Sequence, residues 1–177
     1  MSKFFSVFNV RLIIIHLVAF WFFYYGIETL AFLHDRYLGE PSLAGIIRAG
    51  QKARYDNDKT FIEQFGNIGL LLAYVISWFV CAKKGWHWIN GVIAFLMAFA
   101  LGYFNWFGWD HLSGIFLAPG RLLFPRSSIW NFILSGVIMV GLGSALFFWR
   151  KVLDFIDRGS YVDKAALEAE KKKKRVR

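Results

Sequence analysis

Residues 12–33 read LIIIHLVAFWFFYYGIETLAFL, a long apolar run in which His16 and Glu28 stand out as polar groups. Such a run predicts a transmembrane helix, because the hydrocarbon core of a bilayer needs about 20 helical residues. It follows the basic residues Lys3 and Arg11, as a secretory signal would, but it is too long and no small-residue cleavage site follows it. We interpret it as an uncleaved signal anchor.

Three further stretches are long and apolar enough to cross a membrane, at residues 60–82, 86–107 and 128–149. Hydrophobic residues make up 57% of the chain and charged residues 19%, whereas a soluble domain has roughly 45–50% and about 25%. Thr60 and Glu63 form a capping box, which predicts that the second helix begins at Thr60. The composition therefore favours an integral membrane protein over a soluble single core.

Residues 1–159 are thus predicted to form an all-α integral membrane domain, a four-transmembrane-helix bundle, followed by a basic cytoplasmic tail at residues 160–177. Six of the basic residues stand in the terminal run of residues 171–177 and not in a groove, so no nucleic-acid partner is expected. The tail and the Lys83-Lys84 turn put most of the 21 Lys and Arg residues on one side, which predicts cytoplasmic termini. We expect a bacterial inner membrane rather than the endoplasmic reticulum, with the tail on anionic lipid.

The two predicted outer loops have unusual patterns. Residues 41–54 are typical of a short amphipathic helix, which would be a lid on the membrane surface or a docking site for a partner. Residues 108–127 are too apolar for a solvated loop and too short to cross the bilayer. This second loop should lie at the interface or enter the membrane as a re-entrant segment covered by protein.

Small residues recur at helical spacing in three of the spans, and in lipid such residues allow helices to approach closely. Because the turn between them is short, the second and third spans should pair as a hairpin through these residues. The face of the fourth span would close the bundle or meet another protomer, and the aromatic first span would face lipid, an apolar ligand or a partner helix. The small residues are Gly69, Ala73, Ser77 and Cys81, then Ala94, Ala98 and Gly102, then Gly136, Gly143 and Ser144.

Glu28 is the strongest candidate for a functional residue, because an ionisable group inside a span is costly to bury. Tyr24 lies four residues earlier on the same helix face, and Arg121 or Arg126 could reach it from the second outer loop. Glu28 is therefore either a structural latch that holds this loop or a carboxylate that couples protons or binds a ligand.

Histidines provide weaker candidates. His16 is deep in the first span and could contact haem or quinone, but the other histidines fall near span ends, so a hydrogen-bonded packing role is favoured. His34, Asp35, Asp110 and His111 lie on the predicted outer side and have the donor types of a metal site. Their spacing is not that of metal ligands, so ordinary polar contacts are the alternative.

These features leave three functional hypotheses and specify no cofactor. The first is a non-enzymatic accessory or oligomer-forming subunit of a membrane complex, which contacts other membrane subunits or copies of itself. The second is a small transporter, channel or lipid-like ligand binder that uses Glu28. The third is a haem, quinone or metal-binding redox subunit. The single cysteine, Cys81, excludes a disulfide framework and dithiol chemistry, and no catalytic motif points to an enzyme.

Overall fold

Within the residues that the structure describes, every regular element is a helix. The computed structural model describes residues 7–34, 52–103 and 114–158. The helices discussed below are α1 (Val10–Ala31), α2 (Lys52–Lys84), α3 (Ile89–Tyr103), α4 (Ala118–Leu123), α5 (Ser128–Phe148) and α6 (Arg150–Asp157). The predicted all-α class agrees with this architecture.

Three helices are long and apolar enough to span a membrane: Val10–Ala31, Thr60–Lys84 and Ile129–Phe148. They coincide with the first, second and fourth predicted spans. The third predicted span contains the shorter apolar helix Ile89–Gly102, which at 1.5 Å per residue is about 21 Å long. The rest of that span, and with it the fourth crossing, stays a prediction, since residues 104–107 lie outside the described residues.

Helix α2 begins earlier than the capping box predicts. It runs without interruption from Lys52 through Thr60, so Thr60 lies inside the helix and is not its N-cap. The segment before Thr60 contains neither Gly nor Pro, and the apolar helix can therefore continue as a polar one. The end of the predicted amphipathic helix of residues 41–54 belongs to α2, while residues 41–51 lie outside the described residues.

Helix α1 occupies the centre of the bundle and packs against α2, α3 and α5. Its rings Phe20 and Phe23 are buried, so of the three predicted surroundings, lipid, an apolar ligand or another helix, these two rings have other helices. They meet Phe95 of α3 and Phe147 of α5 at ring distances of 5.9 to 6.4 Å. We call these four side chains the aromatic layer.

The small residues of α2 and α5 make room for the bulky residues of α1. The Cα of Gly66 lies against the Tyr24 ring, Gly69 against the Phe23 carbonyl and Gly143 against the Phe23 ring. The small-residue stripe of α2 therefore contacts α1 along much of its length, and not chiefly α3 as the hairpin prediction required. Large side chains on one helix and small ones on its neighbours give the close packing that holds helices together in lipid.

The hairpin between α2 and α3 turns at Gly85, where φ is +67° and a side chain would be strained. Contact between the two helices involves Tyr74 and Phe95, whose ring centroids are 4.7 Å apart. It also involves Gly91, where a Cβ would lie 2.8 Å from the hydroxyl of Ser77. The predicted pairing of these helices is present but limited to these contacts and their neighbours.

Two buried asparagines join the ends of α1, α3 and α6. The Asn9 side chain caps α1 by accepting from the Leu12 amide, and it donates to the Ile156 carbonyl. The Asn90 side chain accepts from the Asn9 amide at 2.8 Å and donates to the carbonyls of Val7 and His87 at 2.9 Å. These bonds fix the start of the chain's described part against the hairpin turn.

Candidate functional site

Glu28 is buried in the last turns of α1, with 1% of its surface exposed. Tyr24 and Tyr25, one turn earlier, are close enough to interact electrostatically with its carboxyl group. The carboxyl group of Glu63 on α2 lies near Tyr24. The structure therefore brings together the predicted pair Tyr24 and Glu28 and adds two groups that sequence inspection missed, Tyr25 and Glu63.

Helix α4, in the second predicted outer loop, covers this region from the α5 side. Gly120 lies directly against the backbone of Asn131, and its amide donates to the Ser135 hydroxyl at 3.1 Å. Just before α4, Phe116 stacks on Tyr25 with a centroid distance of 4.5 Å. Part of this loop thus folds onto the bundle beside the tyrosines that flank Glu28.

The two predicted arginine partners differ in position. Arg121 is half-buried within α4, whereas Arg126 is exposed in the turn before α5. Of the two, Arg121 is therefore the one that the fold holds on the docked part of the loop. The latch between Glu28 and this loop stays a prediction.

His16 forms a second buried polar group near the opposite end of α1. Its Nδ1 lies 2.8 Å from the Ser77 hydroxyl, and the two atoms share a hydrogen bond. The imidazole packs edge-on against Phe147 at 5.0 Å and lies near Phe20 and Trp86. No hydrogen-bond partner for Nε2 occurs among the residues that the structure describes, so the bond to Ser77 is made by Nδ1 alone.

The aromatic layer separates these two polar groups. His16 and Glu28 are twelve residues apart on α1, a rise of about 18 Å, and Phe20 and Phe23 fill the interval on the buried side. Phe147 of α5, which is completely buried, fills the same interval from the other side. In this conformation, no chain of polar side chains along α1 joins the two buried groups.

The proposed metal ligands are not assembled in the described part of the chain. Asp35, Asp110 and His111 lie outside the described residues, and His34 is exposed beside Phe61. No group of three or more His, Cys, Asp or Glu side chains that could hold a metal occurs among residues 7–34, 52–103 and 114–158. The metal hypothesis gains no geometric support.

The predicted packing residues fall into three sets. Gly69, Ala73, Ala94, Ala98, Gly136 and Gly143 are buried. Ser77 is buried too, but its hydroxyl bonds His16. Gly102 is exposed, with open space where a side chain would be. Sequence inspection missed Gly26, where a Cβ would meet Val140 of α5 at 2.8 Å.

No family model, curated protein or solved structure matches this chain. The functional argument therefore rests on the positions of its own residues.

Proposed function

We propose that this chain is a four-span protein of a bacterial inner membrane, with cytoplasmic termini, that acts as a non-enzymatic accessory or oligomer-forming subunit of a membrane complex. Its closed aromatic layer supports a structural role over a pore through the single chain. Its partners are other membrane subunits or copies of itself, with anionic lipid at the tail of residues 160–177. Exposed Leu122 and Leu123 of α4 support an interfacial position for the second loop.

One observation on α5 carries the proposal. Gly136 and Gly143 face α1, but Gly141 is exposed, with no atom within 4 Å of where its side chain would be. At 3.6 residues per turn, Gly141 lies about 140° to 160° around the helix from the other two. Exposed Val137 and Leu142 flank it. Small residues in lipid mark places where another helix approaches closely, so this outer face of α5 fits a helix from a second subunit.

Gly141→Leu should therefore reduce association while leaving the fold intact, because the new side chain would project into open space within one chain but into a neighbouring helix in a complex. We expect the yield of chemically crosslinked oligomer or heteromer in native membranes to fall at least about threefold. Gly102→Leu is a matched control, since Gly102 also faces open space but lies in the last turn of α3, whereas Gly141 lies well inside α5. Unchanged crosslinking in Gly141→Leu, or an equal loss in both variants, would contradict the proposal.

The burial of Glu28 beside Tyr24 and Tyr25 favours a second candidate, a small transporter or ligand binder. Glu28→Gln separates the two functions. In a structural subunit, we expect a loss of about 1–2 kcal/mol in stability from the weakened hydrogen bonding, seen as a lower unfolding temperature in detergent. In a proton- or cation-coupled transporter, the unfolding temperature would be unchanged, while flux into proteoliposomes, followed with an entrapped pH-sensitive dye, would be abolished.

A further inference from the structure

Helix α6 is a short amphipathic helix that leaves the direction of α5 at one residue. Trp149 has φ −70° and ψ 120°, which ends α5 and begins α6 without an intervening loop. Ile156 is fully buried together with Leu12 and Cys81. The side of α6 that contains Ile156 therefore packs on the bundle, and its polar side faces outward. This polar side lies at the end of the bundle that contains the α2–α3 turn.

Several polar contacts hold α6 in place. The Trp86 indole donates to Asp157 Oδ1 at 2.7 Å, and Lys84 Nζ lies 3.4 Å from Asp157 Oδ2. Arg11 donates to the Phe155 carbonyl at 3.1 Å, with its guanidinium carbon 4.5 Å from the centre of the Phe155 ring. The outward side of α6 is therefore a defined surface joined to both α1 and the hairpin turn.

This surface carries more positive than negative charge. Exposed Lys83, Arg150, Lys151 and Arg158 have no ion-pair partner in the part of the chain that the structure describes. Asp157 is already paired with Lys84, which leaves Asp154 as the other acidic side chain of α6. Arg150 and Lys151 stand in the first turn of α6, where cations oppose the helix dipole, so helix stability does not explain them.

Exposed indoles and an apolar ring lie at the same end. Trp88 follows the hairpin turn, and Phe148 and Trp149 stand at the junction of α5 and α6, all with more than half of their surface exposed. Tryptophan is the residue type that settles at the level of lipid headgroups. Cations beside indoles and apolar rings match the two parts of a phospholipid, its phosphate and the upper acyl chain.

We propose that the basic end of the bundle, with Arg150 and Lys151 after Trp149 on α6 and Lys83 at the hairpin turn, binds the headgroups of anionic phospholipids. The charge complementarity of this surface carries the inference, which places lipid binding on the folded end of the bundle and not on the basic tail alone. It rests on the membrane-spanning part of the proposed function and is independent of oligomer formation.

The test uses the full-length protein in detergent with added dioleoylphosphatidylglycerol, with bound lipid measured by native mass spectrometry. One variant combines Lys83→Gln, Arg150→Gln and Lys151→Gln. The matched control removes the same charge from the tail, with Lys171→Gln, Lys172→Gln and Lys173→Gln. Each basic residue near an anionic surface adds attraction, so the tail variant should also lose some binding, by less than about threefold. We expect the first variant to weaken binding at least about tenfold, because its cations lie at the end of the bundle that also exposes Phe148 and Trp149.

Conservative variants, a neutral lipid and a soluble competitor serve as further controls. Lys83→Arg with Lys151→Arg should retain binding, and unfolding temperatures of all variants should match the original chain. Equal binding of phosphatidylcholine, a loss as large in the tail variant, or full competition by millimolar glycerol phosphate would overturn the proposal. If the proposed membrane function itself is wrong, the protein will leave membranes in carbonate buffer without detergent, which is a separate readout.

Discussion

Gly69→Leu will destabilise the bundle severely, with an expected loss of about 3 kcal/mol from overpacking. At this position even a Cβ would lie 2.5 Å from the Phe23 carbonyl oxygen and 3.0 Å from Ile27, both on α1. Backbone cannot move aside as a flexible side chain can, so α1 and α2 must separate. The unfolding temperature in detergent, followed by size-exclusion chromatography after heating, measures the loss.

Gly102→Leu is the control for this prediction, since the same substitution there meets open space. The sequence predicts that both glycines pack in the α2–α3 hairpin. In the structure, Gly69 packs against α1, whereas a side chain at Gly102 would meet open space. Similar unfolding temperatures for the two variants would show that α2 does not pack on α1 as described.

Asn90→Ala will have the second largest effect, about 2 kcal/mol, because it leaves buried polar groups without partners. The Asn9 amide loses its acceptor, and the Val7 carbonyl loses its donor. Asn90→Asp should be less damaging, since it keeps the acceptor for Asn9. Unfolding temperature and amide hydrogen exchange of residues 7–12 are the two measurements, and exchange should accelerate there.

Asn67→Ala provides the comparison for Asn90→Ala. Asn67 lies on α2, is exposed, and donates to Gln64 at 3.1 Å, so water can replace its lost bond. Its expected cost is below about 0.5 kcal/mol. A loss from Asn67→Ala equal to that from Asn90→Ala would mean that the asparagine junction contributes nothing specific.

The positions of the long helices could be predicted because hydrophobic length is a local property of the sequence. Which helices pack together could not, because lipid and protein core are equally apolar. The rings at Phe20 and Phe23 are compatible with either environment, and only their neighbours, such as Gly143 of α5 against the Phe23 ring, decide for the core. The predicted start of α2 at Thr60 is wrong, because a capping box forms only at the N-terminus of a helix and α2 already runs from Lys52 through Thr60.

At the candidate site, too, some features could be predicted from the sequence and others could not. The burial of Glu28 followed from its depth in an apolar run, and the structure places it in the interior. The hydrogen bond between His16 and Ser77 joins residues 61 positions apart, and Ser77 was interpreted only as a small packing residue. Asn9 was missed although an asparagine directly before an apolar helix is a readable N-cap signal.

The central position of α1 has a consequence for biosynthesis. Among the described helices α1 is made first, yet α5, against which Gly26 packs, follows almost a hundred residues later. At translation rates of roughly 5–20 residues per second, α1 waits about 5–20 s for this neighbour. During that interval Glu28 lacks the cover of α5 and of the loop before it, so an insertase or chaperone that shields a nascent helix would act on α1 before the bundle closes.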